Sequence, residues 1–197
     1  MRFIEDVVVT TKELEVGRYY KKCEIIIDSN EVKIYGCSFE NCTFTFELQE
    51  KLDIQSCVMK SCDLSLHLIE NSYLSNVVFN QCKLMSFSFY KCVLKNITIT
   101  DSMCNYMSIS DTKIIDSSII NSSCLNSSLM RLNHKNLVFE KSNIDGTNFE
   151  DTKMKDIDLR TCEFDYILYS QHLLSGLKIR SDQAISFAVQ LGIDVDV

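Results

Sequence analysis

The stretch CSFENCTFTF, residues 37–46, places two cysteines five residues apart and a phenylalanine two residues after each of them. The stretch SCVMKSCDLS, residues 56–65, repeats the arrangement with Met59 and Leu64 in place of the phenylalanines. Such cysteines can be metal ligands, disulfide partners, redox centres or small residues of a packed core. The spacing of the rest of the chain decides between these interpretations.

Apolar residues recur at every fifth position from Ile34 to Ile179 without a shift of frame. Of these 30 central positions only Gln49 and His134 are plainly polar, although the chain as a whole is just 46% apolar. A period of five is neither the 3.6 of a helix nor the 2 of a strand. It indicates a short extended segment followed by a turn, repeated at each corner of a coil.

A second, often small residue lies two positions before each central one, and on an extended segment both side chains point the same way. The pattern therefore predicts that both positions face inward. Seven of the ten cysteines occupy the small position, where a free cysteine packs as a small hydrophobe. We expect core thiols, with no metal, because no CxxC-like cluster is present. Stacked thiols also have an awkward geometry for disulfides.

Polar residues two positions after the centre predict the corners of the coil, because Asn and Asp favour turns. The clearest of these corner residues are Asn41, Asn71, Asn76, Asp101, Asp111, Asp116, Asn121, Asn126 and Asp156.

The pattern resembles the pentapeptide-repeat family over about residues 32–180. The resemblance implies an all-β solenoid, a right-handed quadrilateral β-helix with four pentapeptides in each coil and therefore a stacking period of 20. The sequence has this second period, because the small residues and the large residues form separate columns when every twentieth position is read. The repeats would give about 7.5 coils, stacked at about 4.8 Å. The predicted core includes Phe39, Phe79, Phe139, Cys42, Cys62 and Cys82.

Three regions follow from the frame. Residues 1–31 lack it and are predicted to form an N-terminal β-rich cap, residues 32–180 form the β-helix, and residues 181–197 form a C-terminal helix and tail. Ser181 is a good N-cap and Gly192 a good stop for that helix.

The C-terminal segment resembles that of the quinolone-resistance (Qnr-type) pentapeptide proteins in its GLKI at 176–179, its Gln183 and its LGI at 191–193. The resemblance implies a symmetric homodimer formed through this segment, and binding to DNA gyrase and topoisomerase IV as a mimic of duplex DNA. Similar endings also cap pentapeptide proteins of other roles, which leaves a scaffold without a topoisomerase role as the alternative. The predicted dimer interface comprises Ala184, Phe187, Ala188, Leu191 and Ile193.

Two groups of outward residues are candidates for a partner surface. Residues 145–165 contain seven acidic and three basic side chains, a net charge of −4. Glu150, Asp151, Asp156 and Asp158 are either a row that imitates phosphates or an ordinary solvated face. Val58, Val78 and Val138 form an outward column that is either a contact surface or a consequence of β propensity.

Histidines interrupt the frame at three positions: His67 and His172 at inward small positions, and His134 at a central one. A catalytic role would need a nucleophile and an orienting acid beside the histidine, and the repeats offer neither. Between the bulky inward Leu132 and Leu137, His134 predicts a bulge, a small loop or a hydrogen-bonded core histidine. Whether positions 46–52 and 130–137 protrude as loops stays open at this stage.

Composition excludes several classes of function. The net charge of −7 argues against direct nucleic-acid binding. No apolar run approaches the roughly 20 residues of a membrane span, and no secretory signal is visible. Ten cysteines without such a signal indicate a reducing cytoplasm. We therefore expect a cytoplasmic, non-catalytic binding protein without a cofactor. The resemblance to the Qnr-type proteins implies that its partners are a second copy of itself and a type II topoisomerase.

Overall fold

The five-residue period of the sequence is the spacing at which the chain turns a corner. The computed structural model describes residues 3–29, 31–46 and 51–196. In these residues the chain forms a parallel β-solenoid of about 8 turns with one short C-terminal helix, which is the pentapeptide-repeat fold. The predicted fold class is thereby confirmed.

The strands of the described residues are β1 (Phe3–Glu5), β2 (Val8–Thr10), β3 (Tyr19–Lys21), β4 (Glu24–Ile27), β5 (Glu31–Tyr35), β6 (Ser38–Glu40), β7 (Thr43–Phe46), β8 (Lys51–Lys60), β9 (Leu68–Glu70), β10 (Tyr73–Asn80), β11 (Ser88–Tyr90), β12 (Val93–Thr100), β13 (Ser108–Ser110), β14 (Lys113–Ile120), β15 (Ser128–Met130), β16 (Asn133–Glu140), β17 (Asn148–Phe149) and β18 (Leu168–Tyr169). Helix α1 spans Gln183–Gln190, and short 3-10 helices span Thr11–Glu13 and Gln171–Leu173.

Stacked strands pair in parallel with a register of 20 residues. Strand β10 pairs with β12 so that Tyr73 faces Val93, and β12 pairs with β14 so that Val93 faces Lys113. We number the four sides of the coil by their central positions. Side 1 has centres 34, 54 and every twentieth residue to 174; side 2 begins at 39, side 3 at 44 and side 4 at 49.

Corners are made by residues in the left-handed conformation. Asn76 has φ +54° and lies inside β10, so that this strand bends around a corner and covers sides 1 and 2. All nine predicted corner residues have φ between +48° and +67°, as predicted from their side chains. More than half of the non-glycine residues with positive φ are Asn or Asp, the side chains that tolerate this conformation best.

The inside of the coil is filled by the two inward positions of each repeat. Phe39, Phe79 and Phe139 are at most 3% exposed, and the column Cys42, Cys62 and Cys82 is 1% exposed at each thiol. Further along this column serines replace the cysteines. Each serine hydroxyl then accepts the backbone N–H of the residue one coil earlier, as Ser102 does from Cys82 at 3.0 Å. Small residues in this column thus leave room for large ones at the centres.

Residues at the N-terminal end continue the stack with a different register. Strand β3 pairs with β6 so that Tyr19 faces Ser38, a spacing of 19, and β1 pairs with β3 so that Phe3 faces Tyr19, a spacing of 16. The shorter registers explain why the five-residue frame is missing there. The region limits proposed from the sequence stay a prediction.

One predicted irregularity is wrong. Residues 133–140 form β16, which pairs in register with β14, so no loop or bulge interrupts positions 130–137. Leu132 and Leu137 are each 6% exposed and fill the inside at the small positions, while the central His134 is half-buried. For the stretch 46–52, residues 47–50 lie outside the described residues.

Candidate interaction surfaces

Helix α1 closes the C-terminal end of the solenoid through Gln183. This side chain is 4% exposed, and its Nε2 donates to the carbonyl oxygens of Leu159 at 3.0 Å and Cys162 at 2.8 Å. Arg180 also donates from Nη1 to the carbonyl oxygens of Arg160 and Cys162. Among the residues that the structure describes, no further coil stacks on these carbonyl groups, and the two side chains pair with them instead.

Phe187 packs on the last coil rather than projecting from it. It is 9% exposed, and its ring stacks on Tyr169 at 5.0 Å and meets Phe164 edge-on at 6.3 Å. Phe187 is one of the residues predicted to form the dimer interface, but the last coil of its own chain already covers its ring. This contact is not predictable from the repeat, because the path of the chain after the last repeat is not part of the five-residue pattern.

The other side of α1 and the tail remain exposed. Ala184 is exposed and Ala188 is half-buried; Leu191 is 49% and Ile193 53% exposed. The helix begins at Gln183, two residues after the predicted N-cap Ser181. It ends in a Schellman motif at Gly192 with φ +77°, in which Ile193 N donates to Ala188 O. This turn ends the helix between the exposed Leu191 and Ile193.

The valine column is a continuous ladder on side 2. Val58 pairs with Val78, and Val138 is joined to them through the registered positions 98 and 118. Val58 is 43% and Val138 47% exposed, and Val78 is half-buried. The ladder is therefore an outward, partly apolar stripe along the rod.

The four predicted acids do not form one row. Glu150 and Asp151 lie at the corner between sides 4 and 1. Asp156 occupies the next corner, between sides 1 and 2, and Asp158 lies on side 2. Arg160 holds Asp158 with two short hydrogen bonds and thereby lowers the pKa of Asp158 to about 2. The structure brings together only Glu150 and Asp151.

A second acidic group, on side 3, was not selected from the sequence. Asp145, Glu163 and Asp165 lie on this side at the last two coils, and Asp145 Oδ1 accepts the backbone N–H of Asp165 at 2.8 Å. Glu163 and Asp165 border an open groove beside α1. Reading the sequence at a period of 20, rather than as a linear stretch, shows that 145 and 165 share a column.

Side 1 carries a group of basic residues that the linear reading also missed. Its outward positions in four consecutive coils hold Lys95, Lys113, Lys135, Lys153 and Lys155, all exposed. We call these five residues the lysine strip. Charge is thus separated around the C-terminal half of the rod, with lysines on side 1 and acids on the opposite side 3.

The histidines have no common site. His134 Nε2 lies 2.6 Å from the carbonyl oxygen of Lys153, in agreement with the hydrogen-bonded alternative. His67 is half-buried, with its ring 4.8 Å from that of Phe46. His172 is exposed in the 3-10 helix of the last coil, so its predicted inward position is wrong. The 3-10 helix Gln171–Leu173 replaces the extended segment of the repeat at this point.

The ten cysteines are free and buried. Burial raises the pKa of the Cys92 thiol to about 11, and hydrogen bonds to Cys42 and Cys82, together with burial, raise the pKa of Cys62. Neutral, buried thiols of this kind pack as core residues. Across residues 3–29, 31–46 and 51–196, no three His, Cys, Asp or Glu side chains are grouped suitably for a metal ion. Within the same ranges, no helix has the length and apolar character needed to cross a bilayer.

Comparison with known sequences supports the class defined by the fold. Residues 72–149 match the family described as the pentapeptide repeat region. Together with the four-sided solenoid, this match identifies a pentapeptide-repeat structure. No curated protein sequence matches the chain.

Solved structures similar to the chain include QnrB1, a plasmid-mediated fluoroquinolone resistance protein. One trypsin-treated form of QnrB1 has a TM-score of 0.53 at 16% identity, with 100% of each chain covered. Another has a TM-score of 0.46 at 16% identity, with 98% of this chain and 97% of QnrB1 covered. HetL of the cyanobacterium Nostoc, which is involved in heterocyst differentiation regulation, has a TM-score of 0.33 at 9% identity, with 89% and 84% covered. Likeness at these identities concerns the fold.

Proposed function

We propose that this chain is a non-catalytic, cytoplasmic bacterial protein that binds DNA gyrase or topoisomerase IV as a mimic of duplex DNA and modulates susceptibility to quinolones. The resemblance of its C-terminal segment to the Qnr-type proteins motivates the proposal. The observation that carries it is the concentration of exposed acids at the C-terminal end of an elongated rod.

The density of these acids is comparable with that of DNA. Residues 145–165 carry a net charge of −4 and make one turn of the coil, which rises about 4.8 Å. Duplex DNA carries about three phosphate charges over that length. Because Lys153 and Lys155 project from side 1, they lie away from Asp145, Glu163 and Asp165 on side 3. Side 3 and its neighbouring corner therefore present the more negative surface to a partner.

The exposed apolar residues of the C-terminal segment support a homodimer. Leu191 and Ile193 are each about half exposed, and burial against a second copy would remove them from water. We expect Leu191→Asp to yield a monomer with unchanged thermal stability, and Val16→Asp, at a residue 73% exposed near the other end, to leave a dimer intact. Sedimentation at micromolar concentration tests this. A wild-type monomer would remove the dimer from the proposal.

The functional test is the inhibition of gyrase supercoiling and the protection of gyrase from quinolone-stabilised DNA cleavage. A variant with Glu150→Gln, Asp151→Asn, Glu163→Gln and Asp165→Asn, four exposed acids of the C-terminal coils, should lose most of the effect while keeping its fold, since exposed charges contribute little to stability. The matched control neutralises Asp6, Glu15, Glu24 and Glu31, four exposed acids of the N-terminal end, and should retain the effect. Equal activity of both variants would argue against the acidic end as the binding surface.

A scaffold for other proteins, without a topoisomerase role, is the second candidate. The valine ladder on side 2 favours it, because a stripe of exposed valines is suited to a protein partner rather than to imitating DNA. If Val58→Thr with Val138→Thr abolished binding to a partner while the acid variant did not, the scaffold function would be favoured.

A further inference from the structure

The lysine strip stands apart from the other charged groups of the rod. Lys60, Lys83 and Lys141 each lie within 4.0 Å of an acid. The described residues form ten ion pairs, and none of the five strip lysines takes part in them. Within the described residues, no acid therefore lies within 4.0 Å of the ammonium group of a strip lysine. Five exposed cations without partners on one side of an acidic protein form a complementary surface for an anion.

The β register determines how the strip is arranged. Lys113 follows Tyr73 and Val93 in one outward column, and Lys95 and Lys135 flank Ile115 in the next. The two columns are two residues apart on each strand, or about 7 Å, and two coils separate Lys95 from Lys135 by about 10 Å. Lys155 lies one coil beyond Lys135, and Lys153 lies one coil beyond Asn133, which follows Lys113. The surface is therefore mostly basic, with Val93 and Ile115 as its apolar side chains.

Acids limit the width of this surface. Asp111 and Asp151 occupy the corner on one edge, and Asp116 and Asp156 the corner on the other. Arg131 pairs with Asp111 at 2.9 Å, and Asn136 donates to Asp116 at 2.7 Å. A DNA duplex, which carries one negative charge per about 1.7 Å, is wider than the strip and would meet these edges. A single extended chain fits between them.

We propose that the lysine strip binds an extended, acidic polypeptide segment, in which carboxylates face the lysines and apolar side chains contact Val93 and Ile115. The chemistry of the strip favours such a segment over single-stranded nucleic acid, because aliphatic side chains rather than aromatic rings lie between its lysines, and base stacking needs aromatic rings. This surface is on side 1 and faces away from Asp145, Glu163 and Asp165 on side 3.

The test measures binding of a fluorescent poly-L-glutamate peptide by anisotropy, beside an oligothymidylate of equal charge. Wild-type protein should bind the peptide at low salt and lose it as salt rises, because exposed charges are screened within about 10 Å at 0.1 M. The triple variant Lys95→Gln, Lys113→Gln and Lys135→Gln should bind about tenfold more weakly, since each lysine contributes one exposed pair.

The matched control is Lys60→Gln, Lys83→Gln and Lys141→Gln, which removes the same charge from other parts of the surface. Its affinity for the peptide should stay within about twofold of wild type, because these lysines already have partners. Thermal unfolding of both variants establishes that the fold is kept. Equal losses in the two variants, no binding of the peptide by wild type, or tighter binding of the oligothymidylate would each overturn the proposal.

Discussion

The middle coils of the rod, residues 71–149, and its C-terminal end, residues 150–196, bury the same repeat in different ways. In the middle, a neighbouring coil covers each central side chain from above and below, and Phe79 and Phe89 are each 1% exposed. At the end, the central residues Phe164, Tyr169, Leu174 and Ile179 are only half-buried. There, Phe187 of α1 supplies the contact that the next coil supplies elsewhere.

The corners differ in the same way. A residue with positive φ occupies the corner at 141, 146, 151 and 156, but the corner positions 161, 166 and 171 have none, and the conformation returns only at Gly176, with φ +89°. The middle coils thus hold the left-handed conformation at nearly every fifth residue, whereas the last coil has it only at a glycine, which adopts it freely. Regularity of the rod depends on neighbouring coils as much as on each repeat, as expected for a solenoid.

The largest expected effect on the free energy of unfolding is that of removing a core ring from the middle coils, compared with removing one from the C-terminal end. Phe79→Ala should lower the free energy of unfolding by about 3–5 kcal/mol, because it removes a fully buried ring and leaves a cavity that stacked coils cannot close. Phe187→Ala should cost less, since its ring packs on one coil only, and should mainly increase hydrogen exchange in α1. Chemical denaturation of both variants measures the difference. Equal costs would mean that the end is as tightly packed as the middle.

A smaller effect is expected from the buried thiols. The Cys92 pKa is raised to about 11, so folding binds a proton that the unfolded chain releases near its ordinary thiol pKa. The resulting stability is present below about pH 9 and is lost as pH rises towards 11, by about 2–3 kcal/mol. Denaturation under reducing conditions at about pH 8 and pH 10.5 should show this loss, and Cys92→Ala should reduce it.

The same burial predicts slow thiol chemistry. All ten cysteines are buried, so a thiol reagent should label the native protein only as fast as it opens. Rapid labelling of Cys42, Cys62 or Cys82 in folded protein would contradict the packing of this column.

The smallest effect concerns a single corner. Asn121 has φ +49° in an exposed turn of the middle coils, where a β-branched side chain is strained. Asn121→Val should cost about 1–2 kcal/mol, whereas Asn121→Gly should be nearly neutral, because glycine adopts this conformation freely. If Asn121→Val and Asn121→Gly had the same midpoint of unfolding, this would contradict a left-handed conformation at position 121.

The repeat made the fold and the corners predictable, because two residues in five must face inward and a third must turn. The charged groups on each side of the coil can be predicted only when every twentieth residue is compared. The lysine strip and the acids of side 3 are therefore not apparent when the sequence is read as a continuous stretch. Gln183 was noticed for its resemblance to the Qnr-type ending, yet its role in capping the carbonyl groups of Leu159 and Cys162 needs the path of the chain. The contact of Phe187 with Tyr169 likewise depends on where the chain turns after its last repeat.

Direct titration of DNA gyrase with this protein tests the proposed binding most simply. Calorimetry or anisotropy with gyrase from a related bacterium should show saturable binding that weakens steeply with salt and is displaced by duplex DNA, because both would occupy one basic surface. Saturable binding with DNA competition is the result that we predict. Absence of binding at micromolar concentrations, or binding that DNA does not displace, would contradict the proposed mimicry of DNA.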